Sequence, residues 1–240
     1  DIDEQRPMTT DTQLRIGSTS KALTSTLLAR QVQRDTLTLD MPLSSLSIGQ
    51  RNDQWGNIKV HHLASHTAGL PHYKENTERL GLYHSVALQK HYANVDQAVD
   101  LFDESKMLFE PGTDFSYSSF GTVLLSAVLQ ETGQQCFQSQ MEALVLKPLS
   151  MADTLMSERK TQKSKLAKFY WREDETDNKV RKWRDVDLSH RLAGGGFVST
   201  SADLVRLGLG FIDDTFISSS TRRAFWTPQT LSDGEVNEQG

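Results

Sequence analysis

Apolar residues recur at three- and four-residue intervals in a series of stretches along this chain, and each stretch predicts a helix with one buried stripe. In the first, Ala22, Leu23, Leu27, Leu28 and Val32 predict an amphipathic helix over about residues 18–34. Ser18 is then its N-cap, with an oxygen able to accept a bond from a first-turn amide. Ile58, Val60, Leu63 and Ala64 predict a short buried helix that stops in Ser65-His66-Thr67-Ala68-Gly69-Leu70-Pro71, where Gly69 and Pro71 end it. Val95, Ala98, Val99 and Phe102 mark another. Val123, Leu124, Ala127 and Val128 mark one that stops near Gly133, and Phe137, Met141, Leu144 and Val145 one closed by Pro148. The last carries Leu204, Val205, Leu207 and Phe211, with Thr200 or Ser201 as its cap.

Between these helices the pattern changes. The first fourteen residues are a polar lead-in, and residues 35–43 alternate and end at Pro42, a helix exit and an extended connection. Residues 73–92 are polar with weak periodicity and read as a surface excursion, a candidate flap over a site. Pro111-Gly112 is a turn. Phe169-Tyr170-Trp171 and Val180-Arg181-Lys182-Trp183 flank an acidic turn, residues 173–178, and predict a β-hairpin. No internal repeat or linker divides the chain, which reads as a single domain over 1–240.

Composition narrows the function classes. With 240 residues, 37% hydrophobic and 24% charged, the chain can bury a large core. A net charge of −5 gives no basic field for nucleic acid, and no apolar run is long enough for a membrane span. The single cysteine, Cys136, excludes an intrachain disulfide, and its neighbours Phe137 and Met141 predict a buried structural thiol.

Candidate chemistry starts at Ser18. Lys21 lies three residues further on, hence on the same side of the helix, and in the first turn it faces the positive end of the helix dipole. Burial and the dipole together favour a neutral amine, which can take the hydroxyl proton, while the Ser18 amide at the helix start suits an oxyanion. The same S-x-x-K spacing recurs at Ser157 and Lys160 within a charged run, which reads as solvated surface. Tyr117, at a loop-to-helix junction, reads either as a half-buried residue bonded to backbone or as a phenol that shuttles a proton near a lysine. His61, His62, His66 and His72 raise the question of a metal, but H-E-x-x-H is absent and no third ligand stands at a suitable spacing. His66 is better read as fixing a turn beside a cleft through a ring hydrogen bond. Gly194-Gly195-Gly196 lacks the G-K-[ST] of a phosphate loop and reads as close backbone approach at a site wall. No metal and no cofactor is predicted.

Four segments now stand in order: Ser18-x-x-Lys21, Ser65-His66-Thr67-Ala68-Gly69-Leu70-Pro71, Pro111 to Ser119 with Tyr117-Ser118-Ser119, and Ala193 to Thr200. Together they resemble the β-lactamase-related serine hydrolases, a group of class C β-lactamases, D-alanyl-D-alanine carboxypeptidases, family VIII esterases and LACTB-type proteins. The resemblance runs from about Thr9 to Thr227. It implies an α/β (α+β) fold, an antiparallel sheet flanked by helices plus a mostly helical lobe over about 40–165, with the cleft between. It implies Ser18 as acylated nucleophile, Lys21 as proton acceptor and Tyr117 as second acid/base. Ser119, Gly195 and Gly196 become substrate-binding positions, and the substrate a small molecule or peptide carrying an ester, peptide or amide bond. The setting implied is a bacterial periplasm or cell envelope.

The chain departs from that pattern in two ways. Ser119 stands where many relatives have asparagine, which shortens the polar reach at that position. A K-T-G or H-x-G motif is not found before Gly240, and only seventeen residues precede Ser18. On the resemblance, terminal sheet strands are then missing, which predicts an open apolar face and self-association through an exposed sheet edge. These departures keep a second reading in play, a non-catalytic scaffold or binding module that retains the fold.

Overall fold

The computed structural model describes residues 2–73, 90–156, 165–172, 180–183 and 186–237. The candidate flap, the second S-x-x-K copy and the acidic hairpin turn fall on residues outside these.

Helix α1 (Ser20–Gln33) is the centre of the fold. It starts two residues later than predicted, after a 3₁₀ turn over Gly17–Thr19 that holds Ser18. Nor is it one-sided. Besides Leu23, Leu27, Leu28 and Ala29, the polar Ser20, Thr24, Thr26 and Gln31 are buried. Each has a partner: Thr24 Oγ1 donates to the Ala193 carbonyl at 2.8 Å, Thr26 Oγ1 to Ala22 at 2.7 Å and Gln31 Nε2 to Leu129 at 2.8 Å, while Ser20 Oγ accepts the Phe197 amide at 3.2 Å. Buried polar groups bonded in this way are tolerated in an interior, which is why an apolar-stripe reading missed these four.

The short helix α2 (Val60–Ala64) and helix α3 (Val95–Val99) form where the apolar spacing predicts them. Between them, Gly69 adopts φ +76°, and a side chain there would collide with the Phe109 carbonyl. Helix α4 (Ser119–Thr132) is capped by Ser118, whose Oγ accepts from the Gly121 amide, and ends at Gly133. Helix α5 (Phe137–Met141) runs on into a π-helical turn over Glu142–Leu146. Cys136 precedes this helix as its N-cap and is exposed, its Sγ 3.0 Å from Ser139 Oγ; the buried thiol predicted from its neighbours is corrected, because the apolar face begins one residue later.

Four short strands complete the described elements. β1 (Leu14–Arg15) pairs antiparallel with β4 (Val198–Ser199), Leu14 opposite Ser199 and Arg15 opposite Val198. The Leu155 backbone bonds Val198 on the other side of β4, and Gln13 bridges to Leu166. β2 (Tyr170–Arg172) and β3 (Val180–Lys182) form the predicted hairpin, with Trp171 opposite Arg181. Nothing among the described residues supports self-association through a sheet edge, and the outer side of β4 is taken by Leu155.

Helix α6 (Ser201–Ile212) is capped by Thr200 and buries Leu207, while helix α7 (Ser219–Trp226) packs beside α1. Val205, read from the sequence as inward, points out with Leu209 and Ile212, because a residue two positions from Leu207 lies on the far side of a 3.6-residue turn. One cluster of buried side chains runs from Leu23 through Trp55, Phe102 and Leu124 to Leu207. No described helix is long and apolar enough to cross a membrane.

Candidate active site

The pairing of β1 with β4 sets the Gly17–Thr19 turn beside Leu192–Gly196, which closes as a π-helical turn. The start of α4 brings Tyr117 to the same place from the opposite side, so three distant stretches meet at Ser18. Gly17 turns the chain there with φ +51°, a conformation that glycine adopts most readily.

Ser18 is exposed and does not cap α1, since its hydroxyl is engaged elsewhere. Tyr117 Oη donates to Ser18 Oγ at 2.8 Å, and Lys21 Nζ lies 3.4 Å from the same oxygen. The amine also donates to the Gly194 carbonyl at 2.7 Å and to Ser119 Oγ at 3.2 Å, and sits 4.7 Å from the centre of the Tyr117 ring. An ammonium has three hydrogens and a neutral amine two plus a lone pair. A neutral Lys21 can satisfy Gly194 and Ser119, its two closer partners, and leave its lone pair for Ser18.

Burial shifts the amine toward that state. Burial pushes Lys21 below the ordinary lysine range, helped by the Arg191 charge and opposed by the hydrogen bond and charge of Tyr117. For Tyr117, burial acts upward, but its hydrogen bonding with Lys21 and Ser18 and the lysine charge outweigh it and hold the phenol below its usual value. Amine and phenol are thus both held below their ordinary values.

Two histidines position Tyr117. The Ser118 amide donates to His66 Nδ1 at 3.3 Å and the Ser119 amide to His72 Nδ1 at 3.2 Å. The His66 ring leans on the phenol with centroids 4.5 Å apart, and His72 meets it edge-on at 5.6 Å. His66 does fix the turn beside the cleft, by accepting a bond through its ring. Burial first, then the Lys21 and His72 charges, lower its pKa to about 4, so the ring is neutral and keeps its lone pair. Ser118 Oγ adds a bond to the Pro71 carbonyl at 2.8 Å, which ties the histidine segment to the start of α4. His62 is used differently, its Nδ1 accepting the Lys59 amide in a capping box for α2. No group of three or more metal-binding side chains occurs among the described residues.

Ser18, Tyr117, Ser119, Gly194 and Gly195 line a cleft of about 680 Å³, whose rim carries Trp171 and Trp183 from the hairpin. Gly196, expected to face substrate, lies behind this wall, because a side chain there would meet the Leu188 carbonyl at 2.7 Å. The residue missed was Gly194, whose carbonyl holds the lysine; a backbone acceptor leaves no mark in the sequence beyond the glycine run itself.

This arrangement of helices, ribbon and cleft is the β-lactamase/transpeptidase-like fold. The chain belongs to the β-lactamase family, whose model matches residues 1–237. It is 24% identical over 271 residues to the human mitochondrial serine β-lactamase-like protein LACTB, an alignment covering 87% of this chain and 48% of LACTB. Esterase EstB of Burkholderia gladioli is 29% identical over 162 residues, 64% of this chain and 41% of EstB. The penicillin-binding protein of Bacillus halodurans superposes with a TM-score of 0.78 at 24% identity, covering 96% of this chain and 68% of that one. The chain spans about half the length of the curated relatives it matches.

Proposed function

We propose that the protein is a serine hydrolase that forms an acyl-enzyme on Ser18, with an ester, peptide or amide as substrate. One observation carries this reading: Ser18 Oγ has the Tyr117 hydroxyl at 2.8 Å and the Lys21 amine at 3.4 Å, while the Gly194 carbonyl and Ser119 Oγ accept hydrogens from the lysine. In the proposed sequence the lysine lone pair takes the Ser18 proton as Oγ attacks the substrate carbonyl. The Ser18 amide, at the opening of the turn before α1, stabilises the oxyanion. Tyr117 gives its proton to the departing alkoxide or amine and regains one from Lys21. Water then releases the acid by the reverse proton path, and Ser18 recovers its hydrogen.

Ser119 has a role here that differs from the one implied by the asparagine of other relatives. Its hydroxyl accepts from Lys21 at 3.2 Å and so helps aim the amine. The bacterial envelope remains the proposed setting, although LACTB, by its name, is mitochondrial.

The test is intact-mass spectrometry after treatment with a fluorophosphonate. The expected result is a single adduct that is absent from Ser18→Ala. No adduct on the unaltered protein, or one that persists in the variant, overturns the reading in favour of a non-catalytic scaffold.

A further inference from the structure

Behind the catalytic cleft lies a second, larger cavity of about 800 Å³. Arg15, Phe169, Trp183, Val186 and Leu188 line both spaces, so they form a common wall. The Arg15 guanidinium lies over the Phe169 ring at 5.0 Å. Charged groups do line the cavity, among them Lys168, Lys182 and the pair His91–Asp187, all of them at least partly exposed to solvent. Its depth is different. Ala98, Val123, Phe137, Ala167 and Ala193 are buried there.

The buried hydroxyls that reach this depth are already committed. Ser126 Oγ donates to the Val123 carbonyl at 2.6 Å, and Thr154 Oγ1 to the Asp203 carboxylate at 2.8 Å. His190 lies there too, and burial keeps it neutral. An occupant is therefore offered mainly aliphatic and aromatic surface at depth, with the neutral His190 ring and the two committed hydroxyls as its polar part. The volume falls within the range of about 300–1,000 Å³ typical of small-molecule sites.

We propose that this cavity receives the hydrocarbon chain of an acyl group whose carbonyl is attacked by Ser18, so that the substrate class is an ester of an extended aliphatic carboxylic acid. The inference rests on the hydrolase reading above. The chain passes the apolar members of the shared wall, Phe169, Val186 and Leu188, and the alcohol leaves on the solvent side. Acylation breaks the ester C–O bond and forms one to Ser18 Oγ, and water then releases the fatty acid.

The experiment has two arms. In the first, kcat/KM is measured for p-nitrophenyl acetate, butyrate, octanoate and laurate. A methylene moved from water to an apolar site favours binding about fourfold (~0.8 kcal/mol), so a rise of at least tenfold from acetate to octanoate is expected. Ala98→Phe and Ala167→Phe, which fill the cavity from different walls, should each lower the octanoate-to-acetate ratio at least fivefold, with circular dichroism confirming the fold. Ser18-dependent turnover with a flat or falling chain-length series, or a ratio that neither folded variant moves, overturns the proposal and leaves the hydrolase reading standing.

The second arm needs no turnover. Ser18→Ala protein is titrated with cis-parinaric acid, and saturable fluorescence that is weakened in Ala98→Phe or Ala167→Phe supports the cavity as the chain's site. Absence of saturable binding, or binding that both folded variants leave intact, overturns it. Loss of all ester turnover with this binding retained instead strikes the hydrolase reading.

Discussion

On the proposed mechanism, Lys21 is the residue whose protonation decides whether Ser18 can act. Its three polar neighbours suit an ammonium, but burial penalises that charge, and two of the three contacts suffice for the neutral amine. Replacing it with methionine keeps much of the volume and removes the base. Acyl transfer should fall by roughly 10²–10⁴-fold, the usual range for a positioned acid or base. In the unaltered protein kcat/KM should rise with pH through a pKa below the ordinary lysine value, and in Lys21→Met that limb should vanish. Stopped-flow acylation across a pH series checks both. His66 acts one step removed, through the Ser118 amide and the face of Tyr117. An asparagine oxygen can stand where Nδ1 stands, so His66→Asn should keep most activity, while His66→Leu should lose roughly 10-fold or more, as expected when a catalytic group is misplaced. Equal losses in both variants would show that the accepted hydrogen bond is not what positions the phenol.

Helix α6 separates what was legible in the sequence from what was not. Its cap and its length follow from Thr200 and the apolar spacing, yet its register does not, since Leu204, Val205, Leu207 and Phe211 all look alike until the neighbouring elements are in place. Leu207 is 4% exposed and Leu209 56%. Leu207→Ala should cost about 2–5 kcal/mol, the range for a buried leucine, and Leu209→Ala under about 0.5 kcal/mol; urea titration distinguishes them. The same limit hid the buried polar side of α1, where Thr24 and Gln31 find partners on segments more than ninety residues away. Short elements with strong stops were legible: α2 before Gly69, α4 between Ser118 and Gly133, and the aromatic hairpin. In the candidate site, Ser18 and Lys21 were suggested by their spacing, whereas Tyr117, open between two readings by itself, was singled out by the family resemblance. The Gly194 carbonyl was not legible, because every residue carries one, and neither was the exposure of Cys136, which depends on where α5 begins.

Across the whole molecule, the histidines that order the polar interior also set its response to acid. Burial lowers His62 and His66 to about 4 and His190 to about 3, against 6.5 in the unfolded chain. Between these values the unfolded state binds protons that the native state refuses, so stability rises with pH across the window. It is fully present above about 6.5 and is lost progressively as pH falls toward 4, with the His190 share still declining to about 3. The loss reaches the cleft directly, because a proton on His66 Nδ1 would break its bond from the Ser118 amide. Thermal unfolding followed at pH 8, 7, 6, 5 and 4 should therefore show a nearly constant midpoint at the first two values and a continuous fall below. The variant His66→Asn, which keeps an acceptor but cannot titrate, should flatten that fall between pH 6.5 and 4 without raising the midpoint at pH 8. A parallel fall in both proteins would show that this ring does not contribute and leave the acid response to His62, His190 and the carboxylates.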